Sequence, residues 1–329
     1  MYFEGKRVLV TGAAGFIGSH LTEELLEQGA QVTALIRYNS RSDFGFVSHL
    51  VNRADSSFNI IQGDLRDQLS VRDAVRDQDI VFHLGALIAI PYSYLNPWDA
   101  FETNVRGTLN VLEAVKEFGV ARLVHTSTSE TYGTAEYVPI DELHPLKGQS
   151  PYSASKIAAD KFVESYFDSY GLPVRTIRPF NTYGPRQSAR AIIPTIISQA
   201  IVNNKLTLGS LEPRRDLTFV KDTVSAFLLM GECSNINGEV INIGSNFDIS
   251  IGELVKEIEN VIGKKLKLEI SDDRIRPSNS EVMHLLADNS KAKKLINWSP
   301  QYNLKTGLQL TVDWIEKNIE IFNTERYII

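Results

Sequence analysis

The chain has 329 residues, 43% of them hydrophobic, and a formal net charge of -6. That length fits one large domain or two closely joined ones, and that apolar share suffices for a sizeable core, which excludes a disordered chain. Acids and bases are interspersed along the sequence, so neither a nucleic-acid-binding surface nor a polybasic membrane surface is predicted.

Cys233 is the only cysteine. It excludes an internal disulfide and predicts a cytoplasmic setting. The chain runs directly into the strand-like "KRVLVTG", which predicts no leader. Its longest apolar stretches, such as "DIVFHLGALIAIPY", are too short and too polar to span a bilayer.

Taken in order, "RVLVTG" reads as a buried strand. "FIGSHLTEELLEQG" follows as a helix, with Leu21, Leu25 and Leu26 at helical spacing and Gly29 as a stop. "QVTALIRY" is the second strand; "FNIIQGD", "DIVFHLGA", "RLVHTST" and "PVRTIRPF" are later ones. Helices are predicted over Leu69–Arg76, Trp98–Phe118 and Tyr152–Tyr170. Repeated β-α-β units with continuous apolar strands predict an α/β fold: a doubly wound parallel sheet covered on both faces, of the Rossmann type. After about Asn181 the pattern changes to shorter mixed elements. Residues 1–180 are therefore expected to bind a dinucleotide. Residues 181–329 are expected to form a smaller mixed α/β substrate domain, with an interleaved boundary across which segments cross back.

"VTGAAGFIGSHL" places Gly12, Gly15 and Gly18 between a strand and a helix. Such a loop lets backbone N–H groups approach a pyrophosphate at a helix N-terminus. An acid ending the second strand would hold an NAD ribose hydroxyl. Here Ile36 stands at that place, followed by Arg37, Ser40 and Arg41. Arginines with hydroxyls suit a 2′-phosphate, so NADP is expected, with NAD as the alternative. Asp64, after "IIQG", is placed to meet the adenine.

"SPYSASK" sets Tyr152 and Lys156 four residues apart, on one helix face. A neighbouring ammonium lowers a phenol's pKa and would fit Tyr152 for proton transfer. In "TSTSETYG", Ser127 and Glu130 match a capping box, yet Gly133 and Pro139 follow with no apolar helical run for it to cap. Glu130 instead ends a sheet strand, where sites lie in this architecture.

With these residues in hand, the chain resembles the extended short-chain dehydrogenases/reductases over nearly its whole length. The carriers are "TGAAGFIGSHL", "GDLRD", "VFHLGA", "TNVRGTLNVLEA", "STSETYG", "SPYSASK", "RPFNTYGPRQ", "RRDLTFVKD" and "WSPQYNLKTGLQLTVDW". Phe16, Ile17, Leu65, Leu84 and Ala86, which lie in three of these motifs, complete the expected cofactor set. The resemblance implies enzymes that oxidise C4 of a nucleotide-activated hexose transiently. Tyr152 would take the O4 proton, Lys156 would support it and Thr128 would hold the same hydroxyl. Epimerases of the family usually carry no carboxylate in the segment. Many 4,6-dehydratases read Thr-Asp-Glu there, and the GDP-mannose type reads Thr-Ser-Glu, as Thr128, Ser129 and Glu130 do. Glu130 would then be the C5 base.

The alternatives are UDP-glucuronate decarboxylase, a C4-epimerase, and a binding protein that holds NADP without chemistry. For the substrate diphosphate the resemblance implies Asn181, Arg215 and Arg276; Arg186 in "RPFNTYGPRQ", Arg214 and Arg274 are further candidates. "IPYSYLNP", "STSETYG" and "RIRPSNSEV" together most resemble the GDP-N-acetylglucosamine 4,6-dehydratases of legionaminic acid biosynthesis. A homodimer through two long helices is expected, and no metal site.

Overall fold

The computed structural model describes residues 1–40, 43–51, 56–203, 205–271 and 280–322. Six strands lead the chain: β1 (Arg7–Thr11), β2 (Gln31–Ile36), β3 (Phe58–Gln62), β4 (Ile80–His83), β5 (Arg122–Thr126) and β6 (Val174–Pro179). Between them run α1 (Phe16–Glu27), α2 (Gln68–Val75), α3 (Ile90–Leu95), α4 (Pro97–Phe101), α5 (Gly107–Phe118) and α6 (Pro151–Tyr170). Then follow β7 (Asn181–Tyr183), α7 (Ile192–Asn203), β8 (Lys205–Leu208), β9 (Arg214–Phe219), α8 (Val220–Glu232), β10 (Val240–Ile243), β11 (Asp248–Ser250) and α9 (Ile251–Ile262). The described chain ends with β12 (Lys267–Ile270), β13 (His284–Leu285), α10 (Ser290–Ile296) and α11 (Leu304–Lys317).

Seven parallel strands form the main sheet in the order β10-β6-β5-β4-β1-β2-β3. Its central strands β1 and β4 carry apolar residues on both faces because helices cover both. Val8, Val10, Phe82 and Ile241 pack with Leu21 and Leu25 of α1 and Phe227 of α8. On the opposite face Leu9, Val81 and Leu123 meet Val111 and Leu112 of α5 and Val163 of α6. The strand order reverses between β1 and β4, and in such sheets ligands bind beyond the carboxyl ends of the strands at that point. β10 pairs with β6, so the chain returns to the first sheet after β7 has left it. β9 pairs with β7, β11 and β13 in a second sheet, and β8 with β12 in a third.

The helix expected over Trp98–Phe118 is interrupted: a π turn, Glu102–Arg106, separates α4 from α5. Asn104 supplies the reason. Its side chain accepts from Leu87 N at 2.8 Å and donates to Leu87 O and Ser155 Oγ, each at 2.9 Å. The wider turn aims this amide at the end of β4 and the start of α6 together, and such turns recur at functional sites. No described helix is long and apolar enough to cross a membrane.

Candidate active site

The glycine loop closes tightly on itself. Gly12 has a φ of +73°, and a Cβ on it would lie 2.9 Å from Gly85 N. A Cβ on Gly18 would lie 2.2 Å from Gly12 O. α1 then starts at Phe16 with no side-chain cap and no acid in its first turn. Bare N–H groups at a helix N-terminus suit an anion, so the loop fits a dinucleotide pyrophosphate. Phe16 and Ile17, in that turn, and Leu65, Leu84 and Ala86, near the ends of β3 and β4, are half-buried.

Arg37 and Ser40 are exposed beyond β2; Arg41 lies outside the described residues. Asp64 is held by Arg66, whose Nε and Nη2 donate to it at 2.9 and 2.6 Å. The hydrogen bonds from Arg66 hold the Asp64 carboxyl below its ordinary value.

α6 begins with a buried capping box. Ser153 N donates to Ser150 Oγ at 3.1 Å, and Ser150 N to Ser153 Oγ at 2.9 Å. Tyr152 N donates to Ser93 Oγ of α3 at 3.2 Å, which fixes the first turn against its neighbour. The helix thereby presents Tyr152, Lys156 and Asp160 in line along one buried face. From the other side, β5 ends at Thr126 and the chain stays extended through Thr128. Thr128 Oγ1 accepts from Glu130 N at 3.3 Å and is hydrogen-bonded to the Tyr152 side chain. Thr128 thus caps only the short turn Ser129–Thr131. Ser127 caps nothing: its hydroxyl donates to Asp160 at 2.6 Å. Ser129 is buried.

The expected effect of Lys156 on Tyr152 does not occur. Burial pushes the phenol up, and the charges of Glu130 and Asp160 add to this against the Thr128 hydrogen bond. Lys156 Nζ donates instead to Thr126 O at 2.7 Å. Its own pKa falls to about 8 because burial disfavours the ammonium, with Asp160 opposing.

Folding therefore carries a penalty at neutral pH, where Lys156 is charged in both the folded and unfolded states. The penalty fades as pH rises from about 8 toward the ordinary value of 10.5. Lys156→Met is accordingly expected to gain stability relative to wild type at pH 7. Chemical denaturation across that window should show the gain shrinking by about 3 kcal/mol. A difference independent of pH would refute the buried ammonium.

Beneath this pair lies a charged cluster that the motifs did not reveal. Asp160 accepts from Arg178 Nη2 at 2.7 Å and lies 3.0 Å from His125 Nε2. Arg178 Nη1 donates to Tyr132 OH at 2.8 Å, and Tyr132 OH donates to Asn242 of β10 at 2.8 Å. Burial alone would push the Asp160 carboxyl up, but Arg178, His125 and Lys156 outweigh it and hold it below its ordinary value. One signal for Asp160 stood in the sequence, since it follows Lys156 by four residues in "KIAAD".

Tyr152, Thr128 and Glu130 open onto a cleft of about 450 Å³. Among the described residues the Glu130 side chain has no hydrogen-bond or ion-pair partner, and Ser129 does not line the cleft. The facing wall holds Asn181, Gln187, Leu208, Arg215 and Glu281. Among the described residues Asn181 Oδ1 is buried without a hydrogen-bond partner, an acceptor open to a ligand. Arg215 donates to Glu281 at 2.9 Å. Arg214 points elsewhere, to Asp248 at 2.7 Å. Arg186 is also outside the cleft lining and is ion-paired with Glu23 of α1 at 2.8 Å. Arg274 and Arg276 lie outside the described residues. Ile88–Pro91, leading into α3, line the cleft, so the start of the "IPYSYLNP" motif borders the site.

A family profile described as GDP-mannose 4,6 dehydratase matches residues 9–311. The dTDP-D-glucose 4,6-dehydratase of Mus musculus is 34% identical over 95% of this chain and 89% of its own length. DesIV, a dTDP-glucose 4,6-dehydratase from Streptomyces venezuelae solved with NAD and TYD, superposes with a TM-score of 0.85. It is 28% identical over 96% of this chain and 98% of its own. A UDP-glucuronic acid 4-epimerase from Bacillus cereus, solved with UDP-glucuronic acid and NAD, gives a TM-score of 0.87. It is 29% identical over 95% of this chain and 99% of its own. Dehydratases and epimerases thus share this fold and length. With its glycine loop, its Tyr152–Lys156 helix and a profile match along nearly its whole length, the chain belongs to the GDP-mannose 4,6 dehydratase family of extended short-chain dehydrogenases/reductases.

Proposed function

We propose that this protein is a nucleotide-sugar 4,6-dehydratase that converts GDP-N-acetylglucosamine to its 4-keto-6-deoxy derivative. The observation that carries the reaction type is the Glu130 carboxylate, which is open to the cleft beside Thr128 and Tyr152. An epimerase has no use for a base at C5.

When bound, a nicotinamide dinucleotide supplies the acceptor, and later the donor, of a hydride. Thr128 orients the sugar O4, and Tyr152 accepts the O4 proton once its own phenol has ionised. The C4 ketone then acidifies C5, and Glu130 takes the C5 proton. The same carboxyl, now protonated, passes that proton to the C6 hydroxyl as water leaves, and the freed carboxylate then relays a solvent proton to C5 as C6 is reduced, which completes the 4-keto-6-deoxy product. Burial of Ser129 supports this single-carboxyl scheme. Asn181 and Arg215 hold the nucleotide diphosphate, together with Arg276. The choice of GDP-N-acetylglucosamine rests on the resemblance of three motifs.

Incubation with GDP-N-acetylglucosamine should yield a product lighter by one water, with no net NADPH. Unchanged mass across GDP-, UDP- and dTDP-hexoses would overturn the reading. Loss of CO₂ from UDP-glucuronate would select the decarboxylase instead.

For the cofactor we propose NADP. Arg37 is exposed beyond β2, makes no ion pair among the described residues, and follows Ile36 where an acid would favour NAD. The two solved relatives hold NAD. Calorimetric titration should therefore show tighter binding of NADP⁺ than of NAD⁺, with the preference lost in Arg37→Ala; the reverse order in wild type excludes it. A homodimer through α4–α5 and α6 is supported by exposed Trp98, Phe101 and Phe162, and a monomeric sedimentation coefficient would exclude it.

A further inference from the structure

The segment Gly184–Gln187 runs between the cleft and α1. At one end Gln187 lines the cleft. Its Nε2 donates to Thr182 O at 2.8 Å, and its Oε1 is buried with no hydrogen-bond partner among the described residues. One residue earlier the loop is fastened to α1. Arg186 Nη1 and Nη2 donate to the two oxygens of the Glu23 carboxylate at 3.0 and 2.8 Å, and Nη1 also to Ser19 Oγ at 3.2 Å. His20 Nε2 lies 3.1 Å from Pro185 O. A carbonyl only accepts, so Nε2 carries the proton. Burial pushes this imidazole below its ordinary value and favours its neutral form. Arg186 also holds a φ of +69°, a left-handed conformation that a non-glycine residue keeps only where its surroundings impose it.

Glu23 binds a third segment as well. His49 Nε2 lies 2.9 Å from Glu23 Oε1. His49 belongs to the turn Gly45–Leu50, which rests on the glycine loop. Phe46 N donates to Ala14 O at 3.3 Å, and a Cβ on Gly45 would lie 2.6 Å from that oxygen. One carboxylate, on the helix whose N-terminus suits the pyrophosphate, therefore joins the loop beside the dinucleotide site to the loop beside the sugar cleft. A bidentate guanidinium–carboxylate pair transmits orientation as well as attraction.

We propose that Glu23 and Arg186 are positioning residues that couple the two sites, so that a dinucleotide seated on α1 sets the Gly184–Gln187 loop and tightens the nucleotide sugar. Linkage makes the effect reciprocal. The proposal rests on the nucleotide-sugar reading only for the identity of the second ligand.

The test titrates wild type, Glu23→Gln and Arg186→Lys with GDP, UDP and dTDP, each with and without saturating NADP⁺ or NAD⁺. In wild type, at least one nucleotide should bind about five-fold or more tightly once dinucleotide is present. In Glu23→Gln that ratio should fall to near one, and in Arg186→Lys to an intermediate value. A merely structural role would change melting temperature and leave the ratio alone. A wild-type ratio of one, an unchanged ratio in Glu23→Gln, or no binding of any of the three nucleotides overturns the proposal. So does equal weakening by Arg186→Lys with and without dinucleotide, which would mean that Arg186 touches the diphosphate itself. Preference for UDP or dTDP counts against GDP as the base and leaves the coupling to be read from the nucleotide that binds.

Discussion

Replacing Glu130 by glutamine lowers water elimination by about 10³-fold, within the span of a single general acid–base group, and leaves dinucleotide affinity unchanged. The amide keeps the size of the side chain and its place in the cleft but cannot take a proton from C5. Thr128 and Tyr152 are untouched, so the O4 proton still leaves. Single-turnover absorbance should then show reduced nicotinamide forming without a dehydrated product. A second readout separates the base from a binding role: wild type exchanges the C5 hydrogen with deuterium oxide and Glu130→Gln does not. Retention of dehydration within ten-fold of wild type would remove Glu130 from the chemistry and leave the C5 base to another residue.

The second large effect concerns Asp160. Asp160→Asn leaves the Arg178 guanidinium, 3% exposed, without its counter-charge. Breaking a buried pair on one side costs about 3–5 kcal/mol. For a chain of 329 residues this corresponds to a fall of about 4–7 °C in melting temperature. The double variant Asp160→Asn with Arg178→Met should recover part of that loss, because no uncompensated charge remains buried. Simple addition of the two single losses would argue against a coupled pair. The same substitution withdraws the carboxylate that helps keep Lys156 charged, so the Lys156 pKa should move below about 8. The pH profile of turnover should shift toward acid with it.

Much of this site stood in the sequence in the form of local patterns. The glycine loop and the Tyr152–Lys156 spacing act within one turn or one helix, and their positions follow from backbone geometry alone. Glu130 was legible for a similar reason: Gly133 and Pro139 exclude the helix that would have made it a cap. What distance in sequence hides is pairing. Arg186 sits in a motif next to cleft residues, yet an unusual backbone angle turns it toward α1, and no local pattern announces that. Arg214 and Arg215 are adjacent on a strand and so face opposite sides, only one of them toward the cleft. The spacing of Tyr152 and Lys156 says nothing of burial, and burial dominates the pKa of the phenol. Asn104 required a π turn that helical periodicity does not predict.

The return of β10 to the first sheet bears on how this protein can be taken apart. Severing the chain after Phe180 would not release a self-sufficient nucleotide-binding half. β6 would lose its outer neighbour and present a row of unpaired amides and carbonyls along a fully buried strand. α8 would also be gone, taking Phe227 away from the face that holds Phe82. Such a fragment is a template for self-association more than a domain. The two halves are therefore stable only together, because each completes the other's sheet and core.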